Sequence, residues 1–139
     1  MIGSVNHITI GVSDLDNAFK FYTDILGMKP IAAWNKGAYL LAGSTWICLA
    51  LEESRHQKKS IGRSHIAFSV DDKDFEHLAS RITESGAGTW RENVSEGKSL
   101  YFLDPDGHRL EIHAGDLRSR LAFCRKKPYT GMKFFDHDI

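Results

Sequence analysis

The 139-residue chain is poor in the features that tie a protein to a membrane, an oxidising compartment or a polyanion. No apolar run approaches the ~20 residues that span a bilayer. There are only two cysteines, Cys48 and Cys124, which is no disulfide framework and fits a reduced, cytoplasmic protein. Prolines number three and apolar residues make up 42%, so the composition is not that of a disordered chain. Eighteen Lys and Arg balance eighteen Asp and Glu, so the basic excess that a nucleic-acid surface needs is missing. Met1-Ile2-Gly3-Ser4 leads straight into a strand pattern, without a basic n-region or an apolar h-region, and no secretory leader is expected. A chain of this size buries roughly two-thirds of its unfolded surface and suits one domain.

What is present is a repeat. Asn6-His7-Ile8-Thr9-Ile10-Gly11-Val12-Ser13-Asp14 matches Ser64-His65-Ile66-Ala67-Phe68-Ser69-Val70-Asp71-Asp72 in pattern: a small polar residue, His, alternating apolar positions, then an acidic turn. The offset is 65 − 7 = 58 residues, so the chain reads as a duplicated half-domain.

In the first copy Val5 to Val12 alternates, with Ile8, Ile10 and Val12 on one face and His7, Thr9 and Gly11 on the other. Asp14 is placed to cap a helix from Leu15 to Leu26, whose stripe is Ala18, Phe21, Tyr22 and Ile25, and Gly27 stops it. Strands are expected at Pro30 to Trp34, Ala38 to Ala42 and Thr45 to Leu51, and the polar stretch from Glu52 to Arg63 reads as a linker. The second copy follows the same plan: a strand from His65 to Val70, a helix from Asp72 to Ser85 with stripe Phe75, Leu78, Ala79 and Ile82, and strands at Thr89 to Glu92, Leu100 to Leu103 and His108 to His113. A polar loop spans 93–99, and Asp104-Pro105-Asp106-Gly107 is a turn. A short helix is expected from Asp116 to Lys126. The chain thus reads as one α+β domain, with module 1 over about 1–52, a linker over about 53–63, module 2 over about 64–115 and an extension over 116–139. Two strand-helix-three-strand units give curved, mostly antiparallel sheets with helices outside, and the faces carrying His7 and His65 are expected to line a cleft.

In the last strand of the second copy, Arg109, Glu111 and His113 share a face. Two imidazoles and one carboxylate (His7, His65 and Glu111) suit a borderline or hard divalent ion and leave coordination positions open for catalysis. Mn, Fe, Co, Ni and Zn all satisfy this donor set. A single His at a strand start is most often packing or surface; two at the same place in two repeats is a stronger signal. His113 and His108 are rivals of Glu111. His56, His77 and His137 lie in polar contexts and read as solvated.

These modules resemble the vicinal oxygen chelate superfamily, and the chain is similar to the FosA-type fosfomycin-resistance glutathione transferases. The resemblance is carried by Asn6-His7-Ile8-Thr9, Gly37-Ala38-Tyr39-Leu40, Trp46-Ile47-Cys48-Leu49, the Ser95-Glu96-Gly97 loop, Tyr101-Phe102-Leu103-Asp104-Pro105-Asp106-Gly107-His108-Arg109-Leu110-Glu111 and Gly115-Asp116-Leu117-Arg118-Ser119-Arg120-Leu121. It implies Mn(II) on His7, His65 and Glu111, in a homodimer whose sites each take His7 from one chain and His65 and Glu111 from the other. It implies fosfomycin, a phosphonate epoxide, as substrate and glutathione as co-substrate, with Arg120, Arg91, Ser95, Tyr101, Thr9 and Trp46 around the anion and Tyr39 linked to glutathione use. Thr9, Tyr39 and Arg120 are the catalytic candidates. It further implies a K⁺ loop of Asn93, Ser95, Glu96, Gly97 and Ser99. The family usually has Lys where this chain has Arg91, a change of reach and shape at constant charge.

Other nucleophiles compete: cysteine, bacillithiol or water. Water needs a carboxylate base from the first module, and between Asp24 and Glu52 there is no Asp or Glu, leaving Glu52 or Glu53. A protein that sequesters an antibiotic without turnover is the reading from a different class, and it has no reason to carry an open metal site.

Overall fold

The structure, a computed structural model, describes residues 1–52, 62–135 and 137–139. The first module is β1 (His7–Val12), α1 (Leu15–Lys20), a π-helical turn (Phe21–Ile25), β2 (Lys29–Trp34), β3 (Gly37–Ala42) and β4 (Thr45–Leu51). The second is β5 (Ile66–Ser69), α2 (Asp72–Glu84), β6 (Thr89–Arg91), β7 (Lys98–Leu103) and β8 (Arg109–Ala114), followed by α3 (Leu117–Lys126). Most of the expected linker, including Glu53 and His56, lies outside the described residues.

Local chemistry sets these boundaries. The Asp14 carboxylate accepts the Asn17 N–H at 3.0 Å and opens α1. The expected single helix to Leu26 is instead α1 followed by the π turn, closed by the Leu26 N–H on the Phe21 carbonyl. That wider turn keeps both Phe21 and Tyr22 buried, and Gly27 at φ +76° ends it. At the other end of the chain, Asp116 and Ser119 cap α3 reciprocally.

Each module forms a four-stranded sheet, ordered β1-β4-β3-β2 and β5-β8-β7-β6. The pairs β1/β4 and β5/β8 are parallel and the others antiparallel. The alternation in β1 sends Ile10 and Val12 into a core shared with Leu40, Leu49, Phe102 and Leu110. The opposite positions, His7, Thr9, His65, Ala67 and Ser69, are exposed. The modules are joined across this core. The Tyr22 hydroxyl donates to Asp104 at 2.7 Å, His108 Nε2–H donates to the Gly11 carbonyl at 2.7 Å, and Arg81 Nε–H donates to the Ile25 carbonyl at 2.7 Å. Burial pushes the Asp104 carboxyl above its usual value, opposed by His108, Tyr22 and two backbone N–H groups. Both histidine-bearing modules therefore turn their apolar faces to a common centre, and β1 and β5 each lie at a sheet edge.

Candidate metal centre

His65 lies just before β5, and its Nδ1–H donates to the Arg63 carbonyl at 2.7 Å. A carbonyl can only accept, so Nε2 is left as the lone-pair nitrogen. That Nε2 is 3.8 Å from Glu111 Oε2, beyond hydrogen-bond reach and near the spacing of two donors sharing one ion at about 2 Å each. His7 is arranged in the same way, with Nδ1 2.7 Å from Asn6 Oδ1. Fixing Nδ1 in this manner is how ligating histidines are oriented.

Glu111 carries the strongest signal. It is only 7% exposed and accepts no hydrogen bond from a described residue. Its described partner is His65 Nε2 at ion-pair distance; a buried carboxylate so thinly paired is costly, and a cation would complete its surroundings. The donor set therefore fits a divalent ion.

One protomer assembles only part of the set. Among the described residues no three His, Cys, Asp or Glu come together in a geometry suited to a metal. His65 and Glu111 are neighbours, while His7 packs on Trp46 with ring centroids 4.4 Å apart.

A row of polar side chains runs across the second sheet from Glu111. Register pairs Ala67 with Glu111, Glu111 with Tyr101, and Tyr101 with Arg91. The Arg91 guanidinium lies 5.4 Å over the Tyr101 ring. Beside this row, the 93–99 loop is closed by the Asn93 side-chain amide on the Gly97 carbonyl at 2.8 Å and by Ser95 on Asn93 Oδ1. From α3, Arg120 donates to the Glu96 carboxylate and carbonyl, each at 3.2 Å. Burial alone would depress the Arg120 guanidinium, but hydrogen bonds to Glu96 and Tyr129 hold it above its ordinary value. Arg91 and Tyr101 are thus in contact on the sheet, while Ser95 and Arg120 are tied to the 93–99 loop beside it.

The sequence model of the Glyoxalase/Bleomycin resistance protein/Dioxygenase superfamily matches residues 4–112. The chain belongs to this superfamily. It is 48% identical to "Glutathione transferase FosA" of Serratia marcescens, over 96% of each chain. It is 40% identical to "Metallothiol transferase FosB" of Shouchella clausii, over 91% of this chain and 90% of that one. Among solved structures, the fosfomycin resistance protein FosX of Mesorhizobium loti matches with TM-score 0.75 and 30% identity, covering 87% of this chain and 99% of that one. A mutant of FosX from Listeria monocytogenes, complexed with Mn(II) and 1S,2S-dihydroxypropylphosphonic acid, matches with TM-score 0.76 and 33% identity over 87% and 97% of the chains.

For a superfamily built on duplicated modules, register shows where the halves diverge. In the first sheet Thr9 pairs with Cys48 and Cys48 with Tyr39. In the second, Ala67 pairs with Glu111 and Glu111 with Tyr101. The tyrosine is kept, and Cys48 stands where the other half has its carboxylate. Tyr39, 36% exposed, is wedged edge-on between Trp34 and Trp46. The Trp46 Nε1–H is buried without a partner among the described residues.

Trp90 is a residue the sequence reading missed. Its ring lies 5.2 Å from both His65 and Tyr101, its Nε1–H donates to the Leu110 carbonyl at 3.0 Å, and Arg109 stacks over it at 5.2 Å. Its place beside Arg91, matching Trp46 as a wall near a histidine, was the available signal. A cleft of about 980 Å³ between the first helix and the turns around Gly86 and Pro105 includes Trp90 but neither His7, His65 nor Glu111. Cavity size is a poor guide here, because the His-bearing faces are open.

Proposed function

We propose that the protein inactivates fosfomycin by adding the thiol of glutathione to its epoxide, with Mn(II) bound by His7, His65 and Glu111. The observation that carries this reading is the buried Glu111, which accepts no hydrogen bond from a described residue, beside His65 at one end of a row that continues through Tyr101 to Arg91. The relatives' names supply the chemistry that such a row serves. No helix among the described residues is long and apolar enough to cross a membrane, which suits a cytoplasmic antibiotic-inactivating enzyme.

The site is completed by a second copy. β1 and β5 are both sheet-edge strands; His7 opens β1, and His65 immediately precedes β5. An edge strand is a template for pairing with another chain. Pairing β1 of one protomer with β5 of its partner joins the two open faces and brings His7 to His65 and Glu111.

Arg120 and Arg91 hold the phosphonate with forked donors, and Ser95 and Tyr101 add hydroxyls. Arg120 is already aimed by Glu96, so little freedom is lost on binding. A divalent ion in the site supplies Lewis acidity for the breaking epoxide C–O bond. Thr9, on the His7 face, offers its hydroxyl to the oxygen that gains charge as the glutathione sulfur bonds to carbon. The thiol gives its proton to solvent as the thiolate forms, and that oxygen takes one back from water, giving the hydroxyl of the thioether product. Tyr39, held by two tryptophans, orients the glutathione thiolate. Oxygens of Asn93, Ser95, Glu96, Gly97 and Ser99 would hold K⁺ in the 93–99 loop, where it would add positive potential beside the anion.

Of the two candidate bases for a water nucleophile, Glu53 lies outside the described residues and Glu52 is poorly placed. The Glu52 side chain lies over Gly11, about 13 Å along β1 from His7, too distant to act as base there. The test is product mass after incubation with fosfomycin and Mn(II), offering glutathione, cysteine, bacillithiol or water alone. The glutathione adduct is expected as the main product; a diol, or no product with any thiol, would overturn the proposal.

A further inference from the structure

His113 shares the Glu111 face of β8 but belongs to no metal-suited group among the described residues. Its contacts point elsewhere. Ser99 and His113 are cross-strand partners in the antiparallel pair β7/β8, and Ser99 Oγ is 2.7 Å from His113 Nδ1. The ring also sits where two glycines leave room. A methyl group at Gly97 would come 2.9 Å from His113 Cε1, and one at Gly115 would come 2.6 Å from Nε2. Gly97 is at φ +83° as well, so the turn that carries the loop's carbonyl closes directly against the imidazole.

We propose that His113 is a positioning residue: it turns the Ser99 hydroxyl outward and braces Gly97, and so gives the 93–99 loop the oxygen arrangement that takes a potassium ion. This rests on the potassium reading of that loop. The chemistry follows from the number of hydrogens. A serine hydroxyl has one proton and two lone pairs. When the proton is donated to Nδ1, both lone pairs face away from the ring and are free for a cation. Without an acceptor at that place, the proton rotates among the loop's own oxygens and the lone pairs lose their direction. Arg120 braces the loop from the other side through Glu96, so the loop is held between α3 and β8.

The test separates the acceptor from the ring. His113→Phe keeps the ring and removes the acceptor; His113→Asn keeps an acceptor close to Nδ1 and removes the ring. Ser99→Ala removes the hydroxyl itself. Each full-length protein is melted in KCl against NaCl at constant ionic strength, and Mn(II) binding is followed by calorimetry as a check on the neighbouring site. Losing a group that orients a ligand typically weakens ion binding 10–100-fold, so His113→Phe and Ser99→Ala are each expected to raise the half-saturating K⁺ at least about tenfold. His113→Asn should recover most of that loss, with Mn(II) affinity unchanged throughout. If the wild type responds selectively to K⁺ and His113→Phe matches it, the role of His113 is overturned while the potassium reading stands. Should His113→Phe fail to fold, an unchanged K⁺ response in Ser99→Ala overturns the proposal equally. A wild type that treats Na⁺ and K⁺ alike overturns the potassium reading and this inference with it.

Discussion

Glu111→Gln separates the cost of the carboxylate from its use. In the metal-free protein Glu111 is buried, without a described hydrogen-bond donor, and 3.8 Å from His65 Nε2. An unsatisfied buried polar group costs about 1–3 kcal/mol, and more when charged. The amide is isosteric and cheaper to bury, so the metal-free melting temperature is expected to hold or rise by a few degrees. With Mn(II) the order reverses. At a hundredfold excess over Kd a ligand specific for the folded state adds about 2.7 kcal/mol. At about 2–4 °C per kcal/mol for a chain near this size, the wild type gains about 8 °C. Losing a direct ligand should cost at least the ~100-fold seen at the upper end for outer-shell groups, which leaves about 0.4 kcal/mol, or roughly 1 °C. Differential scanning fluorimetry with and without Mn(II) reads both quantities. A variant that is several degrees less stable without metal, or that keeps the full Mn(II) shift, would refute the assignment of Glu111 as a ligand.

Arg120→Ala removes the clamp on Glu96 and a donor for the phosphonate; KM for fosfomycin should rise at least about tenfold, as expected for a lost charge-assisted contact, with the fold retained. An unchanged KM would reject that role. In Arg91→Lys, the guanidinium no longer has to leave the Tyr101 ring, a contact worth about 0.5–1 kcal/mol. Losing the fork that holds the phosphonate outweighs that gain, so KM should rise severalfold at constant kcat; a fall would mean that charge alone, and not the fork, holds the anion. Only strongly acid pH should loosen α3. Hydrogen bonding to Ser119 holds the Asp116 carboxyl below its ordinary 3.8, so the cap is at full strength above pH 4 and is lost as pH falls through the lower folded value. Asp116→Asn should remove that acid-dependent loss of helix signal by circular dichroism, and an identical acid profile would contradict the assignment.

The parts of the fold that were legible in the sequence are those where one local rule decides. The β4 bounds, Thr45 to Leu51, follow from apolar content and a flanking Gly-Ser turn, and the structure reproduces them. Asp14 and Gly27 mark their helix because a cap and a left-handed residue are local chemistry. The π turn at Phe21 was not legible, because it is imposed by Tyr22 reaching Asp104 in the other module. The His7/His65 repeat pointed to both histidines, yet periodicity alone left Glu111, His113 and His108 open. Three-dimensional contacts separate their roles: Glu111 accepts no hydrogen bond from a described residue and neighbours His65, His113 is engaged by Ser99, and His108 ties β1 to the Asp104 turn. The structural role of Trp90 depends on strand pairing, which a single sequence does not display.

The most direct test of a site shared between chains is complementation. His7→Ala and His65→Ala proteins are each expected to bind no Mn(II) stoichiometrically. Mixed, unfolded and refolded together, they form heterodimers in which one of the two sites has both histidines intact. Random pairing of a symmetric dimer should restore about a quarter of the wild-type Mn(II) sites, with matching thiol-addition activity. If each site is instead built within one protomer, every site in the mixture lacks a ligand, and neither Mn(II) binding nor activity returns.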